Sequence, residues 1–417
     1  MGIDIINRMI LAELVKVFLI ALTALTGLFV VAGLIQEATE RGLSPMQLIV
    51  ALPLMIPSTL PYTIPATTLF ATCVVYARLA ADNEVLVLRS IGANIYHLLA
   101  PAIGFGLLTT LLTAALYYDP IPRSQRLLRD QVIDDAEGVI LRLIQRDGGL
   151  KQGNLDYVVF VREVHDADLL DVVVKTRKPD RSGFNEIAWA KRARLSVAYR
   201  PIDSAKETSP YLSSGGSYEL IVQMYHCNVI AENGEASGTI DYVEFVTPLP
   251  DAIFGKDVTR RPAAQTWKEL FHYRGEALHA RAALGRRVQE LESDAQQAKE
   301  PDAKRIRDET VITRGRLGAL SHLIRAIDAE MQMRPVVALS CLCFALVGCP
   351  AGIGASRREY LGVFVVCFLP IVLLYYPILS ACYKLAVGGK LPPTTTWAAN
   401  AGAALTALFL IRWLMKR

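Results

Sequence analysis

Val17-Phe-Leu-Ile-Ala-Leu-Thr-Ala-Leu-Thr-Gly-Leu-Phe-Val-Val-Ala-Gly-Leu-Ile35 is an uncharged apolar stretch, and the chain of 417 residues contains six blocks of this kind. A helix needs roughly 20 predominantly apolar residues to cross a bilayer core of about 30 Å. The other five blocks are about Leu48–Tyr76, His97–Tyr118, Pro335–Ala355, Leu361–Leu379 and Thr394–Ile411. We therefore expect an integral membrane protein with six transmembrane helices. A secretory signal peptide is the alternative for the first block, which exceeds the usual apolar core of about 7 to 15 residues.

A polar segment, Asp119–Arg334, separates three blocks from the other three. It carries 65 of the 84 charged side chains in about half of the length. The net charge of the whole chain, +4, is too small to indicate a nucleic-acid partner. The sequence thus predicts two membrane parts, 1–118 and 335–417, around one water-exposed insertion.

Six spans place both termini on the same side of the membrane. The positive-inside rule assigns that side to the cytoplasm, because basic residues flank the spans there: Arg8, Lys16, Arg78, Arg89, Arg357, Arg358, Arg412, Lys416 and Arg417. The polar segment is then expected on the opposite side. Lys384, at the end of the fifth block, is expected at the membrane interface.

The first half of the polar segment alternates apolar and polar residues in short runs such as Tyr157–Val161, Tyr218–Met224 and Thr239–Val246. Turn dipeptides such as Gly148-Gly149 punctuate these runs. A period of two with β-branched and aromatic residues is typical of strands. The sequence therefore predicts an antiparallel β-sandwich or jelly-roll-like domain over 119–262.

The second half changes to helical periodicity. Between Thr266 and Met331 apolar residues recur at steps of three and four, and Lys299–Asp302 reads as a turn. This pattern predicts a helical hairpin over 263–334 that leads into the fourth span. Its apolar stripe is interpreted as a packing face, with partner binding as the alternative.

Four prolines mark the second block: Pro53, Pro57, Pro61 and Pro65. Each lacks a backbone donor and clashes with the preceding turn, so we expect this helix to be kinked or locally unwound. Such breaks are tolerated in lipid where neighbouring helices or a cavity satisfy the freed carbonyls. A helix lining a cavity and a bent structural helix are both open interpretations.

Catalytic motifs are absent from the sequence: there is no P-loop, no H-E-x-x-H and no G-x-S-x-G. Six of the seven cysteines lie in or beside the apolar blocks, a distribution that predicts neither a disulfide framework nor a metal site. We expect no enzyme activity, no catalytic residue and no cofactor in this chain. If the protein works with ATP, another subunit must bind the nucleotide and its magnesium.

The loop between the second and third blocks reads Arg78-Leu-Ala-Ala-Asp-Asn-Glu84-Val-Leu-Val-Leu-Arg89-Ser-Ile-Gly92. Asp82 can cap a short helix, and Gly92 can end it. A cytoplasmic amphipathic helix over about 80–92 is predicted. A helix lying on the inner membrane surface is the alternative.

Several of these motifs together resemble a known family. Pro61-Tyr-Thr-Ile-Pro65, Ala77-Arg-Leu, Asn83-Glu84 to Gly92 and Arg334-Pro335 are similar to the LptF/LptG (YjgP/YjgQ) permeases, the membrane subunits of the lipopolysaccharide-export ABC transporter. The resemblance covers both three-span halves and the β-domain in the family's order. It implies a multi-pass protein of the bacterial inner membrane whose large domain is periplasmic.

The resemblance also implies partners and a mechanism. A second permease of this type and a cytoplasmic ABC ATPase dimer would extract lipopolysaccharide or a related glycolipid, and the jelly roll would pass it to a periplasmic bridge protein. By that match Arg78, Glu84, Leu88 and Arg89 fall on the coupling helix that docks on the ATPase.

Two cations are candidates for the lipid phosphates: Arg41 after the first span and Arg334 before the fourth. Both are equally compatible with interface anchors. Two departures from the family stand out, namely the mixed charge of Gln36–Arg41 and the length of the hairpin.

Two other functions stay open at this point. One is a permease of the same build that exports another lipid or a lipoprotein. The other is a non-transporting membrane scaffold whose outer domain binds a partner protein. The sequence does not distinguish an LptF-like from an LptG-like chain, nor a homodimer from a heterodimer.

Overall fold

The fold was analysed in a computed structural model. It describes residues 2–41, 45–90, 95–134, 136–150, 157–165, 168–177, 184–200, 217–231, 237–248, 262–297, 302–354, 362, 365 and 368–416. The chain divides into two compact units. The membrane unit comprises Met1–Val31, Met55–Gln125 and Pro262–Arg417, and the sheet unit comprises Ala32–Leu54 and Arg126–Arg261.

Among the described residues, six helices are long and apolar enough to cross a membrane, which confirms the predicted number of spans. The helices of the first half are α1 (Gly2–Arg41), α2 (Pro45–Ala81), α3 (Glu84–Ser90) and α4 (Ile95–Tyr118). Spans 1 to 3 lie in α1, α2 and α4. Their contact surface includes Ile10, Leu14, Ile64, Tyr76 and Phe105, all buried.

The second half of the membrane unit begins with the predicted helical hairpin. Its helices are α7 (Trp267–Gln297), which follows a short 3₁₀ turn at Pro262–Ala264, and α8 (Asp302–Gly354). The predicted turn at 299–302 lies mostly outside the described residues. Because α8 runs through Pro335 without a break, the second arm of the hairpin and the fourth span are one helix of 53 residues.

Two further spans complete the unit. Span 5, Phe368–Val387, contains a π-helical turn at Ile371–Tyr375 followed by α9 (Tyr376–Val387). Span 6 consists of a 3₁₀ turn, Pro393–Thr396, and α10 (Trp397–Lys416).

Local unwinding, one of the two alternatives predicted for the proline-rich helix, was wrong, since α2 is helical from Pro45 to Ala81. The predicted kink stays a prediction. The spacing gives a physical reason for the continuous helix. At steps of four, the missing donors of Pro57, Pro61 and Pro65 each face the carbonyl of the preceding proline. The losses therefore fall on a single row of the helix, and the other rows keep their bonds. Threonine hydroxyls also bond back to carbonyls of this helix, as Thr67 does to Thr63 at 2.8 Å.

The second segment of the sheet unit begins with helices α5 (Pro120–Asp134) and α6 (Ala136–Asp147), and α5 is shared with the membrane unit. Its six antiparallel strands are β1 (Gly149–Leu150), β2 (Tyr157–His165), β3 (Asp168–Arg177), β4 (Phe184–Arg200), β5 (Ser217–Ala231) and β6 (Ser237–Pro248). The described strands follow one another in chain order, as a meander. The inserted antiparallel β-domain is thereby confirmed.

One face of this sheet is covered by α6, which the sequence analysis did not anticipate. Val139, Ile140, Leu143 and Ile144 are buried against the inward side chains of the strands. Their steps of one, three and four place them on one side of a helix of only 12 residues. The short amphipathic helix thus supplies the second layer of a two-layer core.

The packing of α6 yields a prediction. Leu143→Ala should destabilise the sheet unit by about 2–4 kcal/mol, because it removes a buried side chain and leaves a cavity in its place. Urea-dependent proteolysis of the full chain in nanodiscs measures the effect. Leu127→Ala on α5, where the leucine is 53% exposed, is the matched control. Equal protease sensitivity of the two variants would contradict the role of α6.

Candidate functional site

A buried arginine organises the base of the hairpin. The Arg334 side chain is 1% exposed, and its Nε donates to Glu330 Oε1 at 3.0 Å, one turn earlier on α8. Its Nη2 donates to the carbonyls of Pro262, Ala263 and Gln265 at 3.1, 3.3 and 2.8 Å. A buried cation of this kind is tolerated only with such partners.

Two aromatic rings enclose the same guanidinium. Its carbon lies 5.9 Å from the ring centre of Tyr117, at the end of α4, and 5.7 Å from that of Trp267, at the start of α7. Desolvated cation–π contacts of this geometry are favourable. Arg334 thus joins α4, α7, α8 and the segment that enters the membrane unit at residue 262.

A cavity of about 640 Å³ lies beside this arginine, within the membrane unit. Its apolar lining includes Met333 of α8 and, from spans 1, 2 and 5, Leu25, Phe29, Pro61, Ala66, Phe368 and Val372. Its volume is in the range of about 300–1,000 Å³ that is usual for ligand pockets. A cavity with such a lining is suited to binding hydrocarbon chains.

Polar groups gather at one part of the cavity lining. Glu330 faces it, and Tyr383 donates to Glu330 Oε2 at 3.4 Å. Tyr376 donates to the carbonyl of Tyr62 at 3.0 Å, which ties span 5 to the proline-rich helix. Lys384, an exposed cation at the end of span 5, also belongs to the cavity lining.

Span 5 departs from regular helix where it borders the cavity. The π-helical turn Ile371–Tyr375 contributes Val372 to the wall. Its last residue, Tyr375, donates to Asn400 Oδ1 at 2.7 Å, and Asn400 donates to the carbonyl of Val336 at 2.8 Å. π-Turns occur frequently at functional sites, and this one is held by spans 4 and 6.

The predicted coupling segment has a definite geometry. Asn83 adopts a left-handed conformation with φ of 61°, and the chain reverses there from α2 into α3. Val85 is buried, whereas Leu86 and Val87 are 60% and 59% exposed. Leu86 and Val87 were not among the predicted coupling residues. A run of four apolar residues does not by itself reveal which two face outward.

The predicted coupling residues have different surroundings. Arg78 pairs with Glu13 of α1, Glu84 is exposed, and Leu88 is half-buried against the apolar cluster of spans 1 to 3. The side chain of Arg89 lies outside the described residues. The roles of these four residues stay predictions.

The two head-group candidates also stay predictions. The side chain of Arg41 lies outside the described residues. Arg334 is buried and bonded within the chain through Nε and Nη2, while its Nη1 has no hydrogen-bond partner among the described residues. Its burial does not favour a contact with lipid phosphate. Lys384 was predicted only as an interface residue, and Glu330 was not predicted, although a carboxylate four residues before an arginine at the start of an apolar block is a detectable signal.

Comparison with known families matches this arrangement of spans and insertion. The family described as lipopolysaccharide export system permease LptF/LptG matches residues 8–200 and 289–413. The chain belongs to the LptF/LptG family. No curated protein matches the chain.

Membership makes this LptF/LptG permease a transport component and a multi-pass protein of the inner membrane. The family match does not extend over 201–288, which contains β5, β6 and most of α7. Apart from Ala263, the residues that line the cavity lie in matched parts of the chain, as does the Arg334–Glu330 pair within α8.

The buried ion pair provides a test of the site. Glu330→Gln should lower the stability of the membrane unit by about 3–5 kcal/mol, because it leaves the buried guanidinium without a counter-charge. Thermal unfolding in nanodiscs measures this, with Glu309→Gln as the control on the exposed part of α8. A Glu330→Gln variant as stable as the control would show that the pair is not needed.

Proposed function

We propose that this chain is the permease subunit of an ABC transporter that extracts lipopolysaccharide or a related glycolipid from the inner membrane. The cavity among spans 1, 2 and 5 carries the proposal, because an apolar wall with a polar end matches a lipid with a charged head group. Family membership supports the same function.

The volume of the cavity supports a second permease. About 640 Å³ accommodates only part of a lipid with several acyl chains. Span 5 also leaves most of its surface open, with only 17% of its most apolar window buried inside this chain. A second LptF/LptG-type chain would supply the remaining wall.

Lys384 is the cation that we assign to the head group. It lines the polar part of the cavity and is exposed, so a phosphate can reach it without disrupting a buried pair. Glu330, already bonded to Arg334 and Tyr383, would position the rim of the cavity.

The energy source in this proposal is a separate cytoplasmic ATPase dimer. With both termini in the cytoplasm, α3 faces that compartment and presents Leu86 and Val87 as a small apolar docking surface. Nucleotide-driven closure can move the lipid only if this contact differs between the two states of the ATPase. The sheet unit would then lie in the periplasm and pass the lipid to a bridge protein.

Filling the cavity tests the transport proposal. Ser58→Phe places a ring in the cavity and should remove most of the phosphorylated glycolipid that mass spectrometry detects with the tagged chain. Thr23→Phe, on an exposed position of α1 outside the cavity lining, should leave the lipid in place. Equal lipid content in both variants would contradict the assignment of the cavity.

Charging the exposed pair tests the coupling proposal. Leu86→Asp with Val87→Asp should abolish co-purification of the ATPase, because two carboxylates cannot enter an apolar interface without a large desolvation penalty. The matched control is Val311→Asp with Ile312→Asp, an adjacent apolar pair of similar exposure, 69% and 59%, on the hairpin. Retention of the ATPase by the Leu86/Val87 variant would contradict the docking role.

The same purification separates a transporter from a scaffold. Recovery of the unaltered chain with an ATPase and a second six-span permease supports the transporter. Recovery with a periplasmic protein and no ATPase would instead support the scaffold.

A further inference from the structure

The short helix α3 shares its buried surface with the N-terminal end of span 1. Val85 of α3 is buried in the same apolar cluster as Ile10 and Leu14 of α1, which are 1% and 0% exposed. Leu88 of α3 packs against this cluster. Because packed interiors transmit strain, a displacement of α3 acts on α1 as well as on the helices before and after α3.

Directional polar contacts join the helices around α3. The Tyr76 hydroxyl of α2 donates to the carbonyl of Leu98 on α4 at 2.8 Å, which ties together the helices that precede and follow α3. Arg78, two residues later on α2, donates through Nη2 to Glu13 Oε2 of α1. Apolar contacts are non-directional, whereas a charge-assisted hydrogen bond joins two defined atoms. The Arg78–Glu13 pair therefore fixes the position of α1 relative to α2 and α3.

The other part of α1 borders the cavity. Leu25 and Phe29 belong to its lining, about 18 and 24 Å from Glu13 along the helix at 1.5 Å per residue. Between them, Thr26 shares a hydrogen bond of 3.2 Å with Thr63 of α2. Because α1 is one uninterrupted helix of 40 residues without a proline, a displacement at Glu13 reaches the cavity.

The contact surface of α1 within the described part of the chain is small. Only 17% of the most apolar window of span 1 is buried, compared with 72% for span 2. A helix with so few internal contacts can move as a rigid body, and each directional contact then determines more of its position. The Arg78 and Glu13 side chains are 47% and 33% exposed, and exposed ion pairs contribute little to stability. The pair therefore matters for the position of α1 rather than for folding.

We propose that the Arg78–Glu13 pair makes α1 follow the movement of α3, and that α1 carries this movement to the cavity. The inference rests on the proposed function, since it needs an ATPase that displaces α3. Arg78 is then a positioning residue that acts within the chain and not a contact to the ATPase. Docking of the ATPase on the exposed Leu86 and Val87 does not depend on the pair.

The amount of glycolipid moved per ATP hydrolysed tests the proposal. The full chain and its co-purified partners are reconstituted in vesicles, and phosphorylated glycolipid removed from the vesicle membrane is quantified by mass spectrometry. Glu13→Gln and Arg78→Gln should each lower this ratio by at least about fivefold, the lower end of typical coupling effects. Co-purification of the ATPase and the thermal unfolding temperature should stay unchanged, because the pair is exposed. A purely structural role would not change the ratio at constant stability.

Two further variants serve as controls. The charge-swapped variant, Glu13→Arg with Arg78→Glu, rebuilds the pair in reverse and should move more glycolipid per ATP than either single reversal. Arg314→Gln removes an arginine of similar exposure, 63%, from an ion pair on the hairpin and should have no effect. A normal ratio in the two glutamine variants, an equal loss in Arg314→Gln, or a swapped variant no better than the single reversals would overturn the proposal.

The two proposals fail in different ways. An unaltered chain that co-purifies without an ATPase, or that moves no glycolipid, contradicts the proposed function and this inference with it. An unaltered chain that moves glycolipid no better than the Glu13→Gln and Arg78→Gln variants contradicts only the role of the pair.

Discussion

The membrane unit depends on the burial of the Arg334 guanidinium. Removing a cation from water has a large desolvation penalty, which only close partners offset. Here those partners are one carboxylate, three backbone carbonyls and two aromatic rings. Because they belong to α4, α7, α8 and the 262–265 segment, one side chain fixes where the hairpin joins the spans.

The same interaction connects the hairpin to the cavity. Glu330 holds Arg334 with one oxygen and accepts the Tyr383 hydroxyl with the other, so the wall of the cavity and the base of the hairpin share a carboxylate. Span 5 contributes Tyr383 after its π-helical turn and is attached to span 2 through Tyr376. A movement of span 5 would therefore change the environment of the buried ion pair.

Local sequence signals predicted the elements well. Six spans, an antiparallel insertion and a hairpin follow from apolar length and periodicity, which act over neighbouring residues. The α6 helix was missed because its amphipathic pattern is short. The effect of each α2 proline was predicted separately, although their common spacing confines the lost hydrogen bonds to one row.

The placement of Arg334 could not be predicted, because its carbonyl partners lie 69 to 72 residues away along the chain. The cavity is unpredictable for the same reason, since apolar spans do not reveal which face meets a neighbour.

The proposed transport requires lipid to occupy the cavity among spans 1, 2 and 5. Site-specific photocrosslinking in cells tests this occupancy, with a photoreactive residue at Val372 in the cavity wall. The control position is Phe409 on span 6, which is 68% exposed and lies outside the cavity lining. We expect ATP-dependent adducts with phosphorylated glycolipid from Val372 and only ordinary membrane phospholipid from Phe409. Glycolipid adducts of equal yield from both positions, or from Phe409 alone, would contradict it.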